Sequence, residues 1–178
     1  MARSALLVNA TELLRQPGQR RHIDVSVPLA EVEVDDLRLE GDITVDVTLE
    51  STLDDILVTG RLSVAWSDTC RRCLRSLHDT IQVDVDDRYA PVGEAPAFGA
   101  PPIDPEVFPI EHGQLDLARM VREEVLLGVP DLPLCRPDCP GLCPTCGADL
   151  QSGPCDCPTE TRDDRWAALD ALRDNLPD

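Results

Sequence analysis

Ile43-Thr44-Val45-Asp46-Val47-Thr48-Leu49 places an apolar residue at every second position and a polar one between. Successive side chains of a strand point to opposite faces, so this run gives one oily face and one wet face. An amphipathic helix needs a 3.6-residue period, which the run lacks. Working outward, the same alternation recurs at Ile23, Val25 and Val27, at Ile56, Val58, Leu62, Val64 and Trp66, and at Ile81, Val83 and Val85. Short Asp- and Gly-containing connections separate these runs, with no helical pattern among them. That order predicts an antiparallel sheet of about four to six strands, open or barrel-like, facing one core.

Helical signals flank the sheet, and the fold class read from the sequence is α+β. Asn9 followed by Glu12 has the form of a capping box before Leu13 and Leu14, and Pro17-Gly18 stops the helix. Residues 1–89 therefore read as a short helix plus the sheet. Residues 90–112 read as a linker, because Pro91, Pro96, Pro101, Pro102, Pro105 and Pro109, with Gly93 and Gly99, deny both ladder and helix hydrogen bonds. In 113–132, Asp116 caps a helix to about Leu127, whose Leu117, Met120, Val121 and Val125 form one face toward the sheet. Gly128 and Pro130 end it. Residues 133–160 hold six cysteines among Pro and Gly with too few apolar residues for a core. In 161–178, Trp166, Leu169 and Leu172 suggest a last helix from about Arg162 to Asp174. No internal repeat is visible.

Acidic residues number 34 against 16 basic ones, for a formal net charge of -18 and a pI near 4.3. Such a surface does not suit phosphate tracking, which needs a basic stripe to displace counterions, but it suits contact with a basic partner. The apolar run near the start is too short for a secretory core, and nothing approaches the ~20 apolar residues of a membrane span. A cytoplasmic chain is expected. There is no phosphate-binding loop, no dinucleotide fingerprint and no nucleophile elbow. His22, His78 and His112 are scattered, and the acidic pairs such as Asp35-Asp36, Asp86-Asp87 and Glu123-Glu124 read as solvated strand ends and helix faces. No enzyme is expected.

The eight cysteines carry the chemistry. In a cytosolic chain, clustered cysteines point to metal or redox work rather than structural disulfides. Cys143-Pro144-Thr145-Cys146-Gly147 has zinc-knuckle spacing: two thiolates two residues apart can curl round one ion, and Gly147 permits the positive φ that turns backbone N–H groups toward sulfur. Cys155 and Cys157 can complete a four-thiolate set. Cys70-Arg71-Arg72-Cys73 falls on a hairpin end between two strands, and Cys135 with Cys139 forms a second incomplete pair. Joining the two half-sites puts Cys70, Cys73, Cys135 and Cys139 round one Zn²⁺ and Cys143, Cys146, Cys155 and Cys157 round another. A set of Cys139, Cys143, Cys146 and Cys157 is the alternative. Each closed site would carry about -2, with Arg71, Arg72, Arg75 and Arg136 placed to offset the first and His78 the nearest substitute ligand.

With these residues in view, the chain resembles the YceD-like (DUF177) family, linked to accumulation of large-subunit ribosomal RNA. The resemblance spans nearly the whole chain. It rests on Leu13-Leu14 with Pro17-Gly18, Cys70-Arg71-Arg72-Cys73-Leu74, Asp116-Leu117 through Leu126 with Pro130, Pro133-Leu134-Cys135, Cys139 through Gly147, and Cys155-Asp156-Cys157. It implies a bacterial or plastid factor that supports synthesis, processing or stability of 23S ribosomal RNA, with the zinc sites structural. The implied partner is a basic ribosomal protein or a large-subunit precursor particle; direct RNA contact stays open, and neither a membrane nor a small-molecule substrate is implied. Some members of the family lack the cysteines from Cys143 onward, which marks the second site as a module. A zinc/thiol redox switch is the alternative function, and an enzyme with an open zinc site is disfavoured because two closed sets leave no free coordination position.

Overall fold

The computed structural model describes residues 5–91 and 107–158. Its elements are β1 (Leu7–Asn9), α1 (Ala10–Leu14), β2 (Arg20–Pro28), a 3₁₀ turn (Leu29–Val32), β3 (Leu39–Ser51), β4 (Ile56–Thr69), β5 (Ser76–Pro91), β6 (Val107–Ile110), β7 (Gln114–Asp116) and α2 (Ala118–Gly128). The main sheet has the order β2-β3-β4-β5-β6, and β1 pairs with β7 in a second, two-stranded sheet. The α+β class holds. The main sheet is open rather than barrel-like, and it is mixed, since β6 runs parallel to β5 while the other pairs are antiparallel. A parallel neighbour needs a connection long enough to carry the chain back along the strand, and the proline-rich stretch between Pro91 and Val107 provides that length.

The period-two alternation builds the core. Ile43, Val45, Val47, Leu49, Ile56, Val58 and Leu62 are fully buried, with Val64, Trp66, Ile81, Val85 and Tyr89 beside them. They meet α2 through Met120, Val121 and Val125, and α1 through Ala10 and Leu13. Asn9 caps α1 as expected, its side chain accepting from the Glu12 N–H at 3.4 Å. At the start of α2 the Asp116 carboxylate accepts from the Ala118 N–H at 2.9 Å, while the Tyr89 hydroxyl donates to the Asp116 carbonyl at 3.1 Å. Both ends of the stretch read as a linker prove to be strand: β5 runs to Pro91, and β6 lies along it from Arg88↔Val107 to Pro91↔Ile110. Pro109 is tolerated because β6 is the sheet edge, where one side of the backbone needs no ladder partner. The expected last helix, with Trp166, lies outside the described residues.

Two features bring the chain to the site. The β4–β5 hairpin is the longest in the fold, paired without a shift from Ile56↔Tyr89 to Thr69↔Ser76. After α2, the Arg38 guanidinium, held by Asp36 at 2.7 Å, donates to the Pro130 carbonyl at 3.2 Å. That contact directs the following residues toward the tip of the hairpin. Among the described residues no helix is long and apolar enough to cross a membrane.

Candidate metal centres at the hairpin tip

The hairpin tip turns tightly. Cys70 N–H donates to Arg75 O at 2.8 Å, and Leu74 N–H donates to Cys70 O at 2.9 Å. Leu74 takes a left-handed φ of 58° to close this turn. The segment Cys143–Ala148 repeats it: Cys143 N–H donates to Ala148 O at 2.8 Å, Gly147 N–H donates to Cys143 O at 2.9 Å, and Gly147 has φ 75°. The chain thus contains the same knuckle twice. The repeat is not visible in the sequence because one copy ends in Leu and the other in Gly; the shared Cys-x-x-Cys spacing is its only residue signal.

The cysteine-rich segment then folds back on the first knuckle. Arg71 N–H donates to Pro133 O at 2.9 Å, Leu142 N–H donates to Arg72 O at 3.2 Å, and the Arg72 guanidinium donates to Cys139 O at 2.9 Å. Gly141, at φ 79°, lies so close that a Cβ there would sit 3.0 Å from Arg72 O. These contacts gather Cys70, Cys73, Cys135 and Cys139 into one group and Cys143, Cys146, Cys155 and Cys157 into another, with the sulfurs of each within 4.8 Å of one another. This is the grouping obtained by joining the half-sites; the alternative set around Cys139 and Cys157 does not form. His78 lies on β5 opposite Ser67, outside both groups. The expected arginine screen takes another form: Arg75 pairs with Asp149 at 3.8 Å and Arg136 with Asp138 at 3.4 Å.

Sulfur spacing tests whether an ion fits. Cys70 and Cys139 sulfurs are 3.8 Å apart, and Cys73 and Cys135 sulfurs 3.7 Å. A disulfide would need ~2.05 Å. A tetrahedron with metal–sulfur bonds of ~2.3 Å has an edge of ~3.8 Å, so the first group already has the dimensions of a tetrathiolate site. Cys70 and Cys139 are fully buried and Cys73 nearly so, whereas Cys146 of the second group is exposed.

Proton affinities divide within each group. The backbone N–H of Cys73, reinforced against burial by those of Cys135 and Arg72, holds the Cys70 thiol down at about 6. The N–H groups of Cys146 and Thr145 hold Cys143 down at about 6 as well. Burial, together with the neighbouring sulfurs, pushes Cys135 up to about 12. The Cys146 thiol and burial push Cys157 up to about 12. Cys70 and Cys143 are therefore the thiols most readily ionised, and a cation entering either group must displace the protons of Cys135 or Cys157.

Fold and site define a class: an α+β sheet protein whose cysteine-rich segment folds around two tetracysteine clusters, each of which could hold a metal ion. The family described as "Large ribosomal RNA subunit accumulation protein YceD" matches residues 58–173, a span that contains both clusters. The chain belongs to that family. An uncharacterized protein of Mycobacterium leprae is 31% identical over 181 residues, covering 98% of this chain and 81% of the relative. One from Mycobacterium tuberculosis is 31% identical over 172 residues, covering 93% and 80%. A chloroplastic large ribosomal RNA subunit accumulation protein of Arabidopsis thaliana is 33% identical over 69 residues, covering 39% of this chain and 22% of that protein. No solved structure matches the chain.

Proposed function

We propose that this chain is a non-enzymatic, cytoplasmic zinc protein that supports synthesis, processing or stability of 23S ribosomal RNA by binding a basic ribosomal protein or a large-subunit precursor particle. The observation that carries the reading is the family match across both clusters, to a family described by large ribosomal RNA accumulation. Chemistry supports zinc as the ion: all-thiolate donors at tetrahedral spacing suit it, and a closed four-sulfur shell leaves no position for a substrate or an activated water. Charge supports a protein contact over RNA tracking, because a net charge of -18 attracts basic polypeptide and repels phosphate. In a clean deletion strain the ratio of 23S to 16S RNA should fall, and the purified chain should carry close to two zinc ions. An unchanged ratio removes the ribosomal reading.

A second reading, a zinc/thiol redox switch, is favoured by the exposure of Cys146. An exposed thiolate ligand is open to oxidation, and its loss would release the ion. Mild peroxide would then free one zinc before the other. Retention of both, with no disulfide formed, rejects that reading.

A further inference from the structure

Gln151 belongs to the second module by backbone and touches the first by side chain. Its N–H donates to Asp149 Oδ1 at 2.9 Å, in a turn where Ser152 N–H also meets Asp149 O at 3.0 Å. Its amide nitrogen lies 3.8 Å from Cys135 Sγ and 3.8 Å from Cys139 Sγ. With an ion bound both sulfurs are thiolates with no proton to give, so the carboxamide facing them presents its NH₂. These two sulfurs are the pair that the cysteine-rich segment, not the hairpin, contributes to the first group.

We propose that Gln151 is a positioning residue for the first cluster, delivered there by the second, so that filling the Cys143–Cys157 group tightens the hold of the Cys70–Cys139 group on its ion. The proposal rests on the zinc reading above. The mechanical link is short. Leu150 N–H bonds to Gly141 O at 3.1 Å, and Leu142 pairs with Asp149, which closes the segment from Gly141 to Gln151 into a loop. Cys143 and Cys146 lie inside that loop, and Asp149 also reaches Arg75 beside the first knuckle. Four thiolates on a divalent cation leave ~2 negative charges, and N–H donors to sulfur spread that charge. Cys70 receives such a donor from the Cys73 backbone and Cys139 from Gly141. The Gln151 side chain adds one shared by Cys135 and Cys139. Without an ordered second module nothing fixes its position.

The test uses the full chain loaded with cadmium and read by cadmium NMR, with Cys73→Ser and Cys146→Ser assigning the two resonances. Gln151→Leu should shift the resonance of the first site, leave that of the second in place, and lower the first site's resistance to a competing chelator about 10-fold or more. Gln151→Glu, close to isosteric, should weaken it further by setting a carboxylate against a dianionic site. Cys146→Ser should weaken the first site as much as Gln151→Leu does, and combining the two should add nothing. Unchanged first-site resonance and chelator resistance in both Gln151 variants overturns the coupling while the zinc reading stands. A wild-type chain that binds no cadmium and no zinc overturns both.

Discussion

Stripping metal from the reduced protein should melt residues 134–158 and spare the sheet. Leu134, Leu142 and Leu150 are the aliphatic side chains this segment half-buries. Full burial of a leucine stabilises by ~1.5–3 kcal/mol, so three half-buried ones contribute roughly 3–4 kcal/mol together. Fixing the backbone costs ~1–2 kcal/mol per residue, which exceeds that contribution within a few residues. A structural zinc site of the proposed kind would contribute ~10–16 kcal/mol, the largest favourable quantity available to the segment. The sheet has no such dependence, since seven side chains of β3 and β4 from Ile43 to Leu62 are fully buried in its own core. Amide hydrogen exchange before and after chelation measures the difference. The Cys139, Cys143, Gly147 and Leu150 amides, all bonded within this segment, should exchange at open-chain rates once metal is gone, while those of Val45 and Val47 stay protected. Retained protection at these four amides in metal-free, reduced protein would refute the reasoning.

Three further outcomes follow from particular positions. A Cβ at Gly60 (φ 154°) would lie 2.6 Å from Val47 Cα and run into Asp46 O, both backbone of the neighbouring strand, whereas one at Gly41 (φ 74°) meets nothing within 4 Å. Gly60→Ala should cost roughly 3–5 kcal/mol of strain and clash together and Gly41→Ala about 1–2 kcal/mol, and equal shifts of the urea midpoint would contradict the structure. The twin knuckles differ at one left-handed position, where Leu74 is 64% exposed. Leu74→Gly should therefore stabilise by about 1 kcal/mol and Gly147→Ala destabilise by a similar amount, read by thermal melting of the metal-loaded protein. Asp87, with one enclosed carboxylate oxygen lacking a hydrogen-bond partner among the described residues, titrates above the ordinary carboxylate range because of burial and the nearby Asp86 and Glu123. The native state then holds that proton longer than the unfolded chain does, so stability falls as pH rises through the carboxylate range and the penalty persists at neutrality. Asp87→Asn should raise the urea midpoint at pH 7 and not at pH 3; the same change at both would reject this sign.

What the sequence disclosed and what it hid follow from element length. Period-two runs of seven or more residues leave no doubt about strand and face, and Asn9 with Glu12 marks a helix start by a local hydrogen bond that needs no tertiary context. β1 and β7 are three residues each and β6 is four, too short to show a period. β1 and β7 pair across 105 to 109 positions of chain, and β6 reaches β5 only through a crossover. Pro109 argues against a strand until β6 is known to be an edge. The positive φ of Leu74 carries no residue signal at all, because leucine does not choose that conformation; only the backbone bonds of its twin make it legible.

The cluster could be assembled from spacing because fold and site share one constraint. Cys70 and Cys73 follow directly on β4, whose buried positions Ile56, Val58, Leu62, Val64 and Trp66 fix its register against β5. A slip of one residue would turn every one of those side chains to solvent. It would also misplace the knuckle relative to Pro133 and Leu142, which hydrogen-bond the Arg71 and Arg72 backbone. The apolar alternation of the sheet therefore sets the sulfur geometry at its tip before any ion arrives. Two of the first group's four sulfurs are held by a core that needs no ion, and the other two come from a segment that, on the zinc reading, does. Disorder in the cysteine-rich segment should then weaken the first site without dismantling the hairpin that carries half of it.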